Sequence, residues 1–274
     1  MRKIIPAIIA VFLVDCSITA PNTGNTITQN PPHPLSLQPF AYAHGSLDQE
    51  ADSPRTPRTG KILLVLAGDS TVTYNAGYAA GLRAHFDKEL QVINLSRGGR
   101  TTATFRSDGR WQQMLDLHPD YVLIQFGHND SAYITLDEYK ANLTRFVDEA
   151  RAAGITPILA TPIARRYFQA DGKIHSDLIP HADAVKKIAE DKHVLLVDFH
   201  QRAIELYEKL GPEAIAQWGL PKANPDLARA TNPSTMPAMV YDKTHFSEEA
   251  SRTMGRVVAD ELKRAVPALA EYMD

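Results

Sequence analysis

Five runs of consecutive apolar residues, separated by amphipathic stretches, constrain this chain more than any other feature. The first, Ile62-Leu63-Leu64-Val65-Leu66-Ala67, ends in Gly68-Asp69-Ser70. It is followed by Val92-Ile93-Asn94-Leu95, Tyr121-Val122-Leu123-Ile124-Gln125-Phe126, Thr156-Pro157-Ile158-Leu159-Ala160 and Val194-Leu195-Leu196-Val197-Asp198-Phe199. Residues apolar at successive positions suit strands covered on both faces, because a strand with one wet face alternates polar and apolar. The intervening stretches are Tyr78 to Leu90, Leu136 to Ala153, Ile179 to Asp191, Gln201 to Leu210 and Glu248 to Ala265. In the second of these, Leu136, Tyr139, Leu143, Phe146, Val147 and Ala150 recur at the three- and four-residue steps of a helix face. Alternating strands and helices predict an α/β domain, with a parallel sheet of about five strands and helices on both sides. Gly211 to Tyr241 departs from the pattern: it carries five prolines, has little periodicity and reads as a long surface excursion before the last helix.

That domain occupies residues 60–274. Before it, residues 21–59 are rich in Pro, Thr, Asn, Ser and Gln and read as a disordered tether. Residues 1–20 have the pattern of a signal peptide, with Arg2 and Lys3 ahead of an apolar run from Ile4 to Val14. The run is shorter than the ~20 residues a transmembrane helix needs, so no span is expected and the chain is expected to be exported, secreted or periplasmic. Leu13-Val14-Asp15-Cys16 resembles a bacterial lipoprotein acylation site, except that Asp15 stands where that pattern has a small residue. Cys16 is therefore either a lipid anchor at the cell surface or an incidental thiol in a discarded leader. As the only cysteine it excludes an internal disulfide, a cysteine metal site and a redox pair. With 29 Lys and Arg against 32 Asp and Glu, the chain lacks the basic excess of a nucleic-acid binder.

In an open parallel sheet, ligands bind outside the carboxyl ends of the strands. There stand Gly68-Asp69-Ser70-Thr71 and Gly127-His128-Asn129-Asp130, while Asp242-Lys243-Thr244-His245 precedes the final helix, which Ser247 is expected to cap. A serine hydroxyl is a weak nucleophile unless a base takes its proton. His245 fits that base, and Asp242, three residues earlier, fits the carboxylate that orients the imidazole. Acyl transfer also needs donors for the oxyanion: a glycine amide from Ser96-Arg97-Gly98-Gly99-Arg100, the Asn129 side chain and the Ser70 amide are candidates. The bland alternatives are a Ser70 turn or N-cap, a Gly98-Gly99 turn and an Asn129 cap. His128 is read either as a substrate contact or as a histidine satisfied within its loop. Arg165 and Arg166 are read either as a guanidinium pair facing a uronate carboxylate or as a salt-bridged pair. Trp111 is read as a sugar platform or a core aromatic, and Arg100 is a further candidate for substrate binding. The remaining histidines lack metal-ligand spacing.

Gly68-Asp69-Ser70, Gly99, Gly127-His128-Asn129-Asp130 and Asp242-Lys243-Thr244-His245 together resemble, in order, the four blocks of the SGNH (GDSL-type) hydrolases. Gly98-Gly99-Arg100-Thr101, Asp108-Gly109-Arg110-Trp111, Ile124 to Asp130 and Thr161-Pro162-Ile163-Ala164-Arg165-Arg166 resemble the rhamnogalacturonan acetylesterase branch. The resemblance covers Lys61 to Ala265. It implies a three-layer αβα, flavodoxin-like sandwich, with Ser70 as nucleophile, His245 as base and Asp242 as its orienter. Ser70, Gly99 and Asn129 would form the oxyanion hole, with no cofactor and no catalytic metal. The implied activity is a serine esterase acting on acetylated plant cell-wall polysaccharide of the rhamnogalacturonan or pectin type. Alternatives are an acetylxylan or broad short-chain esterase or lipase, and, in another class, a non-catalytic carbohydrate-binding protein. Val72 stands where the nucleophile elbow of ordinary α/β-hydrolases has glycine, which separates the chain from that fold.

Overall fold

A computed structural model describes residues 61–223 and 239–274; the leader, the tether and the middle of the proline-rich excursion lie outside the described residues. Five parallel strands form the sheet: β1 (Ile62–Gly68), β2 (Leu90–Asn94), β3 (Tyr121–Gln125), β4 (Thr156–Ala160) and β5 (Leu195–Val197), in the order β2-β1-β3-β4-β5. The expected α/β sandwich is present. β1 shows why the apolar runs are continuous. Leu64 and Leu66 face one core while Leu63, Val65 and Ala67 face the other, so the two-residue period of a strand gives each side of the sheet its own apolar set.

Helices cover both faces. On the Leu63 side lie α2 (Thr102–Ser107), α3 (Arg110–Asp116), α5 (Leu136–Ala152) and α6 (Ile179–Lys192), which bury Phe105, Trp111, Phe146 and Val185. On the Leu64 side lie α1 (Ala79–Arg83), α7 (Phe199–Ala214) and α8 (Glu248–Ala265), which bury Leu82, Tyr207, Met254 and Val258, followed by α9 (Pro267–Ala270). A short α4 (Asp130–Tyr133) follows β3. Ser247 caps α8 by accepting from the Ala250 amide, and Glu248 and Glu249 occupy its first turn, where they complement the helix dipole. α1 and α8 cross at glycines: a Cβ on Gly255 would lie 2.2 Å from the Gly81 carbonyl carbon, so the two backbones touch.

Several expected boundaries are corrected. The stretch from Tyr78 to Leu90 is helical only over Ala79–Arg83, and β2 begins at Leu90, which pairs with Ile62. The excursion is not wholly superficial. α7 continues past a non-helical Gly211 to Ala214, and Ile215 and Trp218 are buried in the core. Beyond them β6 (Pro221–Ala223) and β7 (Met239–Tyr241) form an antiparallel ribbon. Among the described residues no helix is long and apolar enough to cross a membrane, and no cluster of three or more His, Cys, Asp or Glu could hold a metal ion.

Candidate active site

One residue after β1, Ser70 opens a single 3-10 turn, Ser70–Val72, whose N-cap is Asp69 rather than Ser70. The serine hydroxyl is thus free of a capping role. His245 Nε2 lies 2.8 Å from Ser70 Oγ, and His245 Nδ1 lies 2.8 Å from Asp242 Oδ2. The other carboxylate oxygen, Oδ1, accepts from the Thr244 and His245 amides at 2.8 and 2.6 Å, which fixes the turn against its own imidazole. Burial alone would raise the Asp242 carboxyl. The hydrogen bonds from the His245 ring and from the His245 and Thr244 amides outweigh that effect and hold it well below the usual carboxylate range. Lys222 Nζ adds a cation 3.3 Å from Oδ2.

The proposed oxyanion donors also adjoin. A Cβ on Gly98 would stand 3.7 Å from Ser70 Cβ, and Gly99 takes a left-handed φ of 76°, so the turn lies against the serine. Asn129 Nδ2 donates to Arg100 O at 3.0 Å, which brings the third block onto the second and, among the described residues, leaves one amide hydrogen uncommitted. A hydroxyl, an imidazole and a carboxylate in a hydrogen-bonded line, beside a glycine turn and a side-chain amide, have the geometry for acyl transfer.

Residues 66–253, more than half of the chain, match the family model described as GDSL-like Lipase/Acylhydrolase. The chain belongs to this family. As a family member it is a carboxylic ester hydrolase. It is 31% identical over 230 residues to "Rhamnogalacturonan acetylesterase RhgT" of Bacillus subtilis, covering 77% of this chain and 94% of that one. It is 29% identical over 153 residues to an acetylxylan esterase of Geobacillus stearothermophilus, covering 51% and 68%. Among solved structures, protein YXIM of Bacillus subtilis superposes with a TM-score of 0.63 at 23% identity, covering 74% of this chain; the chain spans 56% of that structure's length.

In this GDSL-family chain a buried polar layer lies beneath the serine. Asp69 is fully buried, and its Oδ1 accepts from Thr71 N (2.9 Å) and Thr71 Oγ1 (2.7 Å); Gln125 Nε2 in turn donates to Thr71 Oγ1 at 2.8 Å. Burial works to raise the Asp69 carboxyl, but the facing His128 ring and the Thr71 bonds leave it below its ordinary value. Asp130, also buried, accepts from Thr102 N and Oγ1 at 2.8 and 2.7 Å, and burial pushes it up to about 6.

The remaining candidate residues, most of them open to two readings from the sequence, take these places in the structure. His128 is buried, with Nε2 2.9 Å from Ile163 O and Nδ1 3.4 Å from Asp69 Oδ2, a contact longer than a good hydrogen bond, so it belongs to the buried layer and not to the surface. Arg166 is 3% exposed and turned inward, so it does not face a substrate carboxylate. Arg165 pairs with Asp177 and donates to His128 O, and Arg100 pairs with Asp108. Trp111 is a core residue, stacked 4.0 Å from Phe146 and donating to Glu149. Asp69 and Asp130 stand inside the sequence motifs without a residue pattern that marks their role, and Lys222 belongs to the excursion, where the sequence carries no motif.

Proposed function

We propose that the chain is an exported carbohydrate acetylesterase that removes O-acetyl groups from plant cell-wall polysaccharide of the rhamnogalacturonan type. The observation that carries the catalytic part is the continuous Ser70–His245–Asp242 hydrogen-bonded line. In this reading Ser70 Oγ attacks the acetyl carbonyl carbon while its proton passes to His245 Nε2. The Ser70 and Gly99 amides and Asn129 Nδ2 hold the oxyanion, and Asp242 stabilises the imidazolium. Collapse of the tetrahedral intermediate breaks the ester bond, and the sugar oxygen leaves with the proton from His245. Water then attacks acetyl-Ser70, His245 takes and returns a proton, and acetate departs.

The substrate reading is supported by likeness over most of the chain to a relative named as a rhamnogalacturonan acetylesterase. A second reading, acetylxylan, is favoured by likeness over half of the chain to an acetylxylan esterase. Export rests on the leader pattern of residues 1–20, with Cys16 as the candidate lipid anchor. Acetate released from acetylated rhamnogalacturonan and from acetylated xylan, by the wild type and by Ser70→Ala, tests the proposal. The expected result is faster release from the pectic substrate and none from the variant. Equal or faster release from xylan would replace the substrate reading, and turnover by Ser70→Ala would overturn the catalytic one. A folded wild type without turnover on any acetyl ester would leave a carbohydrate-binding protein.

A further inference from the structure

Arg166 stands directly behind the turn that carries the acid and the base. Its amide donates to Lys243 O at 2.9 Å, and its Nη2 donates to both Asp242 O (2.9 Å) and His245 O (2.7 Å). Its Cζ lies 5.1 Å from the centroid of the Phe246 ring. One residue therefore grips the carbonyls of three of the four residues from Asp242 to His245 and stacks against the residue that follows them. The side chain is buried, with the Tyr207 hydroxyl against it, and among the described residues it forms no ion pair with a carboxylate. Burying a guanidinium without a carboxylate is costly, and carbonyl dipoles and an aromatic face offset only part of that cost. A neutral residue could fill the space at lower cost, so the charge calls for a reason beyond packing.

Geometry supplies one. The two hydrogen bonds of the triad require His245 to reach in opposite directions at once, 2.8 Å to Ser70 and 2.8 Å to Asp242. Carbonyl orientation at 242 and 245 fixes the Cα positions from which both side chains depart. We propose that Arg166 is a positioning residue that holds the Asp242–His245 turn at the distance from Ser70 that proton transfer needs. It touches neither substrate nor the reacting atoms and acts through the two carbonyls. The proposal rests on the catalytic role given above to Ser70, His245 and Asp242.

Arg166→Gln removes the charge and shortens the reach, whereas Arg166→Lys keeps a cation that reaches at least one carbonyl. A misplacement of about 1 Å costs about 10²-fold in rate. Steady-state kinetics on p-nitrophenyl acetate, with folding checked by near-UV circular dichroism, should show kcat about 10²-fold lower in Arg166→Gln with KM nearly unchanged. Arg166→Lys should recover part of the loss. A kcat within threefold of wild type, or an effect confined to KM, would overturn the proposal. Unfolding of both variants would also overturn it, because Arg166 would then serve the fold and not the turn; if only the lysine variant folds, it decides alone by the same kcat and KM criteria. Ser70→Ala is measured alongside: residual turnover there refutes the triad itself, whereas an inactive Ser70→Ala beside a fully active Arg166→Gln refutes only the role of Arg166.

Discussion

Replacing Asp130 with asparagine probes the buried layer under the nucleophile. The Asp130 carboxyl is fully buried; its Oδ1 takes two hydrogen bonds from Thr102, and its Oδ2 has no hydrogen-bond partner among the described residues. Burial, reinforced by the negative charge of Asp69, outweighs the Thr102 bonds and raises the group from 3.8 to about 6. The folded protein thus holds this proton more tightly than the unfolded chain does. At pH 7 the carboxylate is ionised in both states and its burial opposes folding. As pH falls through 6 toward 4, the folded state takes up the proton first and the penalty disappears. At about 1.4 kcal/mol per pH unit, the whole change is ~3 kcal/mol. Below about 3.8 both states are protonated, so the contribution is flat there.

Asparagine is neutral throughout. Its carbonyl oxygen can keep both Thr102 bonds, but its NH₂ replaces the unpartnered Oδ2 and adds an unsatisfied donor costing ~1–3 kcal/mol at every pH. The two effects nearly cancel at pH 7, so the slope is the observable. Urea unfolding of both proteins at pH 7, 6, 5 and 4 gives the difference in ΔG, variant minus wild type. That difference should fall by ~2–3 kcal/mol from pH 7 to pH 4. His181 and His200, whose values burial lowers, lose stability as pH falls below about 6.5, but they do so in both proteins and drop out of the difference. Asp69 and Asp242 have lowered values, so their stabilisation is lost only below 3.8. Parallel curves for the two proteins between pH 7 and pH 4 would refute the reasoning.

Asp242→Asn should keep the fold, since the asparagine oxygen still accepts from the Thr244 and His245 amides, but it leaves the imidazole in the wrong tautomer. The expected loss is ~10⁴-fold in kcat on p-nitrophenyl acetate, and a loss under tenfold would contradict the assigned role. Gly255→Ala places a methyl 2.2 Å from Gly81 C and Leu82 N, so α1 and α8 must separate. Overpacking at this level costs ~2–3 kcal/mol, which in a domain of this size lowers Tm by roughly 5–10 °C; an unchanged Tm by calorimetry would refute the crossing.

The central strands and the last helix were legible because their signals are local and redundant. In β1 every residue from Leu63 to Ala67 is apolar, and α8 carries its own cap and acidic first turn. The edge strands were harder to delimit. Gln91 and Val92 in β2, and Leu195 and Leu196 in β5, are only half-buried, and an edge can carry polar residues such as Gln91 that blur its start. From sequence Trp111 fits two roles, and Met114 one helical step on and the Phe146 stack make it core. Arg166 left no trace of its partners because it binds backbone carbonyls, which every residue possesses; only the fold says which ones it meets.

The same distinction separates the two halves of the site. Ser70 is placed by the sheet, since the strand that ends at Gly68 is paired on both sides. His245, 175 residues later, is placed by pieces that share no regular element. Phe246 N donates to Ala76 O, Ser247 N donates to Trp218 O, and a Cβ on Gly219 would lie 1.8 Å from Asp242 O. Arg166 closes the remaining side. The proline-rich segment that looked like surface from its sequence therefore contributes Trp218, Gly219 and Leu220, whose carbonyl accepts from Asp242 N, to the seat of the acid. Substitutions at Trp218 or Gly219 should therefore lower kcat through the position of Asp242.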